Sequence, residues 1–224
     1  MSTTPPLPRL KAAEKQLADA TVPFIPDLGL NRQSLAAGAR SAGYTDAEVD
    51  LIAPNGAADI AAVLWRGFDE AAFGDTTQAA LDGLKIREKI SLLLNGWLDE
   101  AVANEPLAHR LTGFLMLPSH LGLHRSLMWA TADRVWILAG DKALDENHYS
   151  KRAIVFGILS TALVSRLARG REAQLEQIKR NIDGVMAFEK WKANLPTTAD
   201  KAVLGIVERL GQWRFGRAED TAAS

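Results

Sequence analysis

The polar residues of this chain that could take part in chemistry are concentrated between Gly140 and Arg152. The candidates after the glycine are Asp141, Asp145, Asn147, His148, Tyr149, Lys151 and Arg152. Two aspartates four residues apart could form a general acid and base pair. Short polar side chains, however, also bond nearby backbone amides in turns and at helix starts. Because a glycine precedes them and a helical pattern follows, turn and capping duty is the better interpretation of Asp141 and Asp145.

Other reactive arrangements are poorly supported by the sequence. His120 and His124 are one helical turn apart and could hold a metal, but no carboxylate joins them in the next turn. A di-iron bundle needs Glu-x-x-His pairs, whereas Glu105 and His109 are spaced by four. No serine elbow, phosphate loop or dinucleotide fingerprint is found. We therefore predict a protein that is not an enzyme and has no metal site or cofactor.

The composition is that of an ordinary globular protein. The chain has 224 residues, 47% hydrophobic and 24% charged, with a net charge of -1 and no cysteine. The lack of cysteine excludes disulfides and thiolate sites. The first residues resemble neither a signal nor a transit peptide, and charges interrupt every apolar stretch before the roughly 20 residues of a membrane span. We expect a soluble or peripheral protein that acts where it is made.

The elements that must position these residues are all helical by prediction. Apolar residues recur at spacings of three and four, and alternating β-branched runs are not evident. We predict helices at 7–20, 32–42, 45–52, 57–73, 84–103, 104–117, 120–139, 149–168 and 171–194. Two prolines should hold residues 22–27 extended as a connector.

Residues 1–56 form the first predicted domain, with the arrangement of a helix-turn-helix module. Asn31 and Thr45 should cap its two short helices, and Gly43 should end the first. The helix that would read DNA carries Asp46, Glu48 and Asp50 without a cation, and residues 1–56 contain five basic and six acidic residues. Since duplex affinity depends on cations that neutralise phosphates, we predict that nucleic-acid binding is lost.

Two apolar sets remain after this division. The second predicted domain, 57–195, is a helical bundle whose bulky residues could line a cavity or fill a core: Trp97, Met116, Leu117, Leu121, Leu127, Met128, Trp129, Trp136 and Phe156. The third, 196–224, contains an amphipathic helix with one apolar face: Val203, Ile206, Val207, Leu210 and Trp213. Such a helix can lie in a membrane interface, but judged from its residues alone, packing on the bundle is the favoured interpretation.

The corner at 140–152 resembles the signature of the accessory proteins of ubiquinone biosynthesis, a lipid-binding family with the fold of TetR-type regulators. The matching residues are Gly140, Asp141, Asp145, Asn147, Tyr149, Lys151 and Arg152, and His148 stands where the family usually has tryptophan. Weaker similarity extends upstream through 34–44 and 85–90. The resemblance implies a TetR-like all-α fold and a terminal helix that meets the membrane.

The resemblance also implies a function. It indicates a non-catalytic protein, cytoplasmic and peripheral to the inner membrane, that binds an isoprenoid quinone intermediate or a phospholipid. For the nine bulky residues of the bundle, the resemblance favours the lining of a lipid cavity over a filled core. The protein would present the intermediate to the di-iron demethoxyubiquinone hydroxylase, which the corner residues 140–152 would contact, and a homodimer is expected by fold analogy. Two alternatives stay open: a TetR-type ligand-responsive transcriptional regulator, and an enzyme of the helical-bundle type, which would require bound iron.

Overall fold

The computed structural model describes residues 7–77, 79–140 and 147–193, with side chains for 9–77, 79–140 and 150–187. Every regular element in these ranges is helical, which confirms the all-α prediction. The α-helices are α1 (Leu7–Thr21), α2 (Ile25–Leu28), α3 (Arg32–Ala42), α4 (Asp46–Ile52), α5 (Ala57–Phe73), α6 (Ile86–Ala101), α7 (Glu105–Leu115), α8 (Leu121–Ala139), α9 (Asn147–Arg169) and α10 (Arg171–Ala193). Short 3-10 turns lie at Val22–Phe24, Ala79–Leu81 and Pro118–His120.

The predicted caps of the two short N-terminal helices are confirmed. The Asn31 side chain accepts the amide of Ser34 at 3.2 Å, and the Ser34 hydroxyl accepts the Asn31 amide in return. The same reciprocal arrangement joins Thr45 and Glu48, whose carboxylate accepts the Thr45 amide at 2.8 Å. Gly43 ends α3 with a φ of 77°, a left-handed conformation that glycine adopts without steric cost. These reciprocal hydrogen bonds satisfy backbone amides at the helix start that have no partner within the helix.

The prediction of an extended connector at 22–27 is wrong. Residues Val22–Phe24 form a 3-10 turn that runs into α2. Pro23 and Pro26 each lie within the first two positions of their helical turn, where the missing amide hydrogen would have no helical partner. Proline in those positions starts a helix rather than preventing one.

The N-terminal helices pack closely because α3 carries a glycine where it meets α1. A Cβ atom at Gly38 would lie 2.3 Å from the Thr21 hydroxyl oxygen and 2.6 Å from the Thr21 Cα. Leu17, Ile25 and Leu35 are buried around this approach. The packing of α1 against α3 thus depends on the absence of a side chain at position 38.

Two compact units divide the chain, Met1–Arg180 and Asn181–Ser224. In the first, α5, α6, α8 and α9 pack around a core that includes Leu94, Leu98, Val135 and Leu159. Of the second, the structure describes the end of α10, so the predicted membrane helix at Val203–Trp213 lies outside the described residues. None of the described helices combines the length and hydropathy needed to cross a bilayer.

Candidate functional site

The predicted partner patch lies at the corner between α8 and α9. Gly140 ends α8 with a φ of 93°, and its amide donates to the Ile137 carbonyl at 3.1 Å. α9 then begins at Asn147. Asp141 and Asp145 lie outside the described residues, as do the side chains of Asn147, His148 and Tyr149. The fully described residues of the predicted patch are therefore Gly140, Lys151 and Arg152.

A buried ion pair between Arg152 and Asp133 links α9 to α8. The residue is 3% exposed, and its Nε donates to the carboxylate of the half-buried Asp133 on α8. A buried guanidinium needs such a partner, because an isolated charge in the interior is strongly destabilising. Arg152 is thus placed beneath the surface of the corner, where it positions α9.

A second link between the same helices runs through Trp136. Its indole nitrogen donates to the backbone carbonyl of Lys151 at 2.7 Å, and the Lys151 ammonium lies 5.8 Å from the centre of the Trp136 ring. The latter distance is within the range of a cation-π contact. Since Trp136 is itself buried, the first turns of α9 are held on α8 by two side chains, Arg152 and Trp136.

A buried polar network that was not predicted from the sequence lies between α5, α6 and α8. The Asp69 Oδ1 accepts the indole of Trp97 at 2.7 Å and the hydroxyl of Thr131 at 2.8 Å. The same hydroxyl oxygen accepts the indole of Trp65 at 3.0 Å. All four residues are buried, and the two indole rings are in contact with centres 4.9 Å apart. A carboxylate therefore lies inside the bundle with aromatic and hydroxyl donors directed at it.

Burial dominates the electrostatics of this interior. It raises the pKa of the Asp69 carboxyl, although the hydrogen bonds from Thr131 and Trp97 act in the opposite direction. Burial also lowers the pKa of His124, whose ring packs edge-on against Trp65 with centres 5.7 Å apart. Its buried Nε2 has no hydrogen-bond partner among the described side chains and backbone. Both groups are thus biased toward their neutral forms.

One signal in the sequence could have identified Asp69. Trp65, Asp69 and Phe73 recur every four residues along α5, so the aspartate shares the face of two large aromatic residues. All three are buried. A carboxylate on an apolar stripe is rare unless partners satisfy it, and such an occurrence marks a site worth testing.

The nine residues predicted to line a lipid cavity fall into separate environments. Trp97, Leu127, Met128 and Trp136 are buried, and Trp129 and Phe156 are half-buried. Met116, Leu117 and Leu121 are exposed at the connection between α7 and α8. The structure therefore brings the buried members into the bundle and leaves three members on its surface.

A cleft of about 610 Å³ lies between α1 and α5. Its apolar lining includes Val22, Val63 and Phe68, and its charged lining includes Lys15 and Glu70. None of the nine predicted residues lines this cleft.

The predicted histidine pair is divided between two aromatic partners. His120 stacks on Phe114 with ring centres 4.0 Å apart, whereas His124 contacts Trp65. In the part of the chain with described side chains, no group of three His, Asp or Glu residues is arranged to hold a metal ion.

Comparisons with known proteins converge on one family. The family model described as COQ9 matches residues 123–189, a range that runs from α8 through α9 into α10. The ubiquinone biosynthesis protein COQ9-A, mitochondrial, of Xenopus laevis is 25% identical over 166 residues, covering 66% of this chain and 49% of the relative. The rat (Rattus norvegicus) COQ9 protein is also 25% identical, over 159 residues, with the same two coverages. COQ9-B of Xenopus laevis is 26% identical over 170 residues, covering 67% and 54%.

The chain thus spans about half the length of the curated relatives it matches. These matches confirm the family resemblance that was drawn from residues 140–152, since that corner lies inside the range matched by the family model.

Proposed function

We propose that this chain, as a relative of the COQ9 proteins of ubiquinone biosynthesis, is a non-catalytic lipid-binding protein of that pathway. In this proposal it takes up isoprenoid quinone intermediates at a membrane surface and presents them to the di-iron demethoxyubiquinone hydroxylase. The observation that carries the proposal is the family match at residues 123–189, which includes the two helices joined at the corner and extends into α10.

The physical need for such a protein comes from the substrate. Each methylene group of an isoprenoid tail costs roughly 0.8 kcal/mol to expose to water, so transfer to a peripheral enzyme requires an apolar escort. The buried aromatic and methionine side chains of the bundle supply apolar surface of the adaptable kind that suits such a ligand. Trp97 and Met128 are the fully buried members of that set. Isoprenoid lipid or phospholipid is the proposed cargo.

The corner is proposed as the surface that meets the hydroxylase. Its residues divide into two roles in this proposal, because Arg152 is buried against Asp133 whereas Gly140 is exposed and Lys151 is half-buried. Arg152 and Trp136 would fix the position of α9, and Lys151 with Tyr149 and the neighbouring residues 141–148 would make the contact. The function is non-enzymatic, and the protein acts as a homodimer at the cytoplasmic face of the inner membrane, held there by Val203–Trp213.

The partner contact is tested by a paired substitution at the corner. We expect the double variant Tyr149→Ala and Lys151→Ala to lose most of its association with the hydroxylase in a co-purification assay, with unchanged helicity by circular dichroism. The matched control replaces the chain's other tyrosine together with a surface lysine of α10, Tyr44→Ala and Lys179→Ala. Equal association of the corner variant, the control and the parent protein would rule out this surface.

The cargo is tested by mass spectrometry of lipids extracted from the purified full chain. Enrichment of isoprenoid quinones over their share of the membrane extract is the expected result. If only bulk phospholipid is recovered, in the proportions of the source membrane, the quinone assignment is refuted.

A further inference from the structure

The connection between α7 and α8 presents large apolar side chains to solvent. Met116, Leu117 and Leu121 are 54%, 48% and 47% exposed, and they lie within six consecutive residues. Twelve large apolar residues are exposed among the described side chains, and these three form a surface cluster because they are neighbours in one connection.

The connection is held in a fixed conformation that keeps these side chains outward. Residues Pro118–His120 form a 3-10 turn in which the His120 amide donates to the Leu117 carbonyl at 2.8 Å. The His120 ring stacks on Phe114 of α7, and its Nδ1 lies 3.2 Å from the Phe114 carbonyl oxygen. These contacts anchor the turn to α7.

The charged residues nearest the cluster along the sequence are arginines. Residues 106–132 contain no aspartate or glutamate but include Arg110 and Arg125, which are both exposed. Arg125 follows Leu121 by four residues, so the two side chains lie on the same side of α8. The whole chain, in contrast, carries 27 acidic and 26 basic residues. The sequence that carries the exposed leucines is therefore locally cationic. One of its two arginines, Arg110, also donates from Nε to the Pro26 carbonyl of α2 at 3.0 Å.

We infer that the α7–α8 turn inserts into the surface of an anionic lipid bilayer. Leu117 and Leu121 would enter the boundary between headgroups and acyl chains, while Arg110 and Arg125 would meet lipid phosphates. Exposed apolar side chains with arginines on the same two helices match an anionic bilayer in both hydrophobicity and charge. This inference rests on the proposed membrane-associated function and adds to it a contact that is independent of Val203–Trp213.

The test uses the absence of cysteine from the chain, since a single introduced thiol can be labelled uniquely. An environment-sensitive fluorophore is attached to the full chain at Leu117→Cys, and in the control at Leu51→Cys, which is 78% exposed on α4. With vesicles of phosphatidylcholine and phosphatidylglycerol, the label at 117 should shift its emission to the blue and lose quenching by aqueous iodide. The label at 51 should change in neither respect.

A second measurement tests the contribution of the two leucines. Replacing Leu117 and Leu121 together by serine should weaken partitioning onto the same vesicles by about tenfold or more, because two apolar side chains leave the interface. Binding should also weaken with added salt and on vesicles of phosphatidylcholine alone.

Two results would overturn the inference. In one, the protein binds vesicles while the label at 117 stays fully accessible to iodide. In the other, the label becomes shielded without vesicles as protein concentration rises, which would assign the cluster to a second copy of the chain. Neither readout depends on quinone recovery or hydroxylase association, so a failure here is distinguishable from a failure of the proposed function.

Discussion

The buried network around Asp69 predicts that Thr131→Val strongly destabilises the protein although it preserves side-chain shape. Thr131 donates to the Asp69 carboxylate and accepts the indole hydrogen of Trp65. Valine can do neither. The Trp65 indole would remain buried without an acceptor, at a cost of about 1–3 kcal/mol, and the carboxylate would lose a hydrogen bond worth about 1.5–3 kcal/mol. Because such terms are not additive, we expect a loss of roughly 3 kcal/mol or more.

Thr131→Ser is the matched variant, since it keeps the hydroxyl and removes one methyl group. Its expected cost is about 1 kcal/mol for the lost apolar burial and the small cavity. Urea unfolding at neutral pH, followed by circular dichroism and tryptophan fluorescence, measures both variants against the parent. A loss of 3 kcal/mol is a large share of the total stability of a domain and shifts the midpoint well beyond error.

The pH dependence adds a further check on the same variant. Loss of the Thr131 donor removes one of the effects that lower the pKa of Asp69, so this pKa should rise further in Thr131→Val. The folded variant then binds a proton more readily, and its stability deficit should shrink as the pH falls and the carboxyl becomes neutral. The reasoning is refuted if Thr131→Ser is the more destabilised of the two, because packing rather than hydrogen bonding would then dominate at this position.

Three further substitutions have expected outcomes. The hydrogen bond from Arg171 lowers the pKa of Asp99, so the stability it contributes is present above about pH 4 and is lost as the pH falls through the lowered pKa. Asp99→Asn should therefore lower the free energy of unfolding by at most about 1 kcal/mol at neutral pH, because the pair is partly solvated. The free energy of unfolding of this variant should also decrease less steeply with falling pH than that of the parent, as measured by circular dichroism. An unchanged pH dependence would contradict this expectation. Gly38→Ala should destabilise the protein by about 1–3 kcal/mol in urea unfolding, because the new Cβ would overlap Thr21. Gly67→Ala should stabilise it by about 0.5–1 kcal/mol, because a Cβ at this position of α5 meets nothing within 4 Å. Equal effects of the two alanines would show that the close approach at Gly38 is not what limits that position.

The helices were predictable because their boundaries are set by local chemistry. α5 runs from Ala57 to Phe73 as its apolar period predicted, and the caps at Asn31 and Thr45 start α3 and α4 where expected. The proline-containing segment at 22–27 was predicted wrongly, because the position of a proline within a helical turn is not set by its presence alone.

The candidate site was predictable as a location but not as a set of roles. The motif identified the corner, yet it could not separate Arg152, which is buried against Asp133, from residues available to a partner. That pairing joins residues 19 positions apart on different helices. The Asp69 network likewise joins α5 to α6 and α8, over separations of 28 and 62 residues. Contacts between residues so far apart in the sequence depend on how the helices pack against one another. The spacing of residues within a single helix does not predict that packing.

The carboxylate of Glu48 constrains any redesign of α4 for binding to duplex DNA. Recognition helices present their first residues to the bases. In this chain, the Glu48 carboxylate stabilises that end of α4 by accepting a hydrogen bond from the Thr45 amide. Lysine at position 48 would reverse the charge and would also remove the hydrogen-bond acceptor that caps the start of α4. Evolution or redesign toward a duplex ligand would thus have to supply a new anchor for α4 in the same step as a new charge.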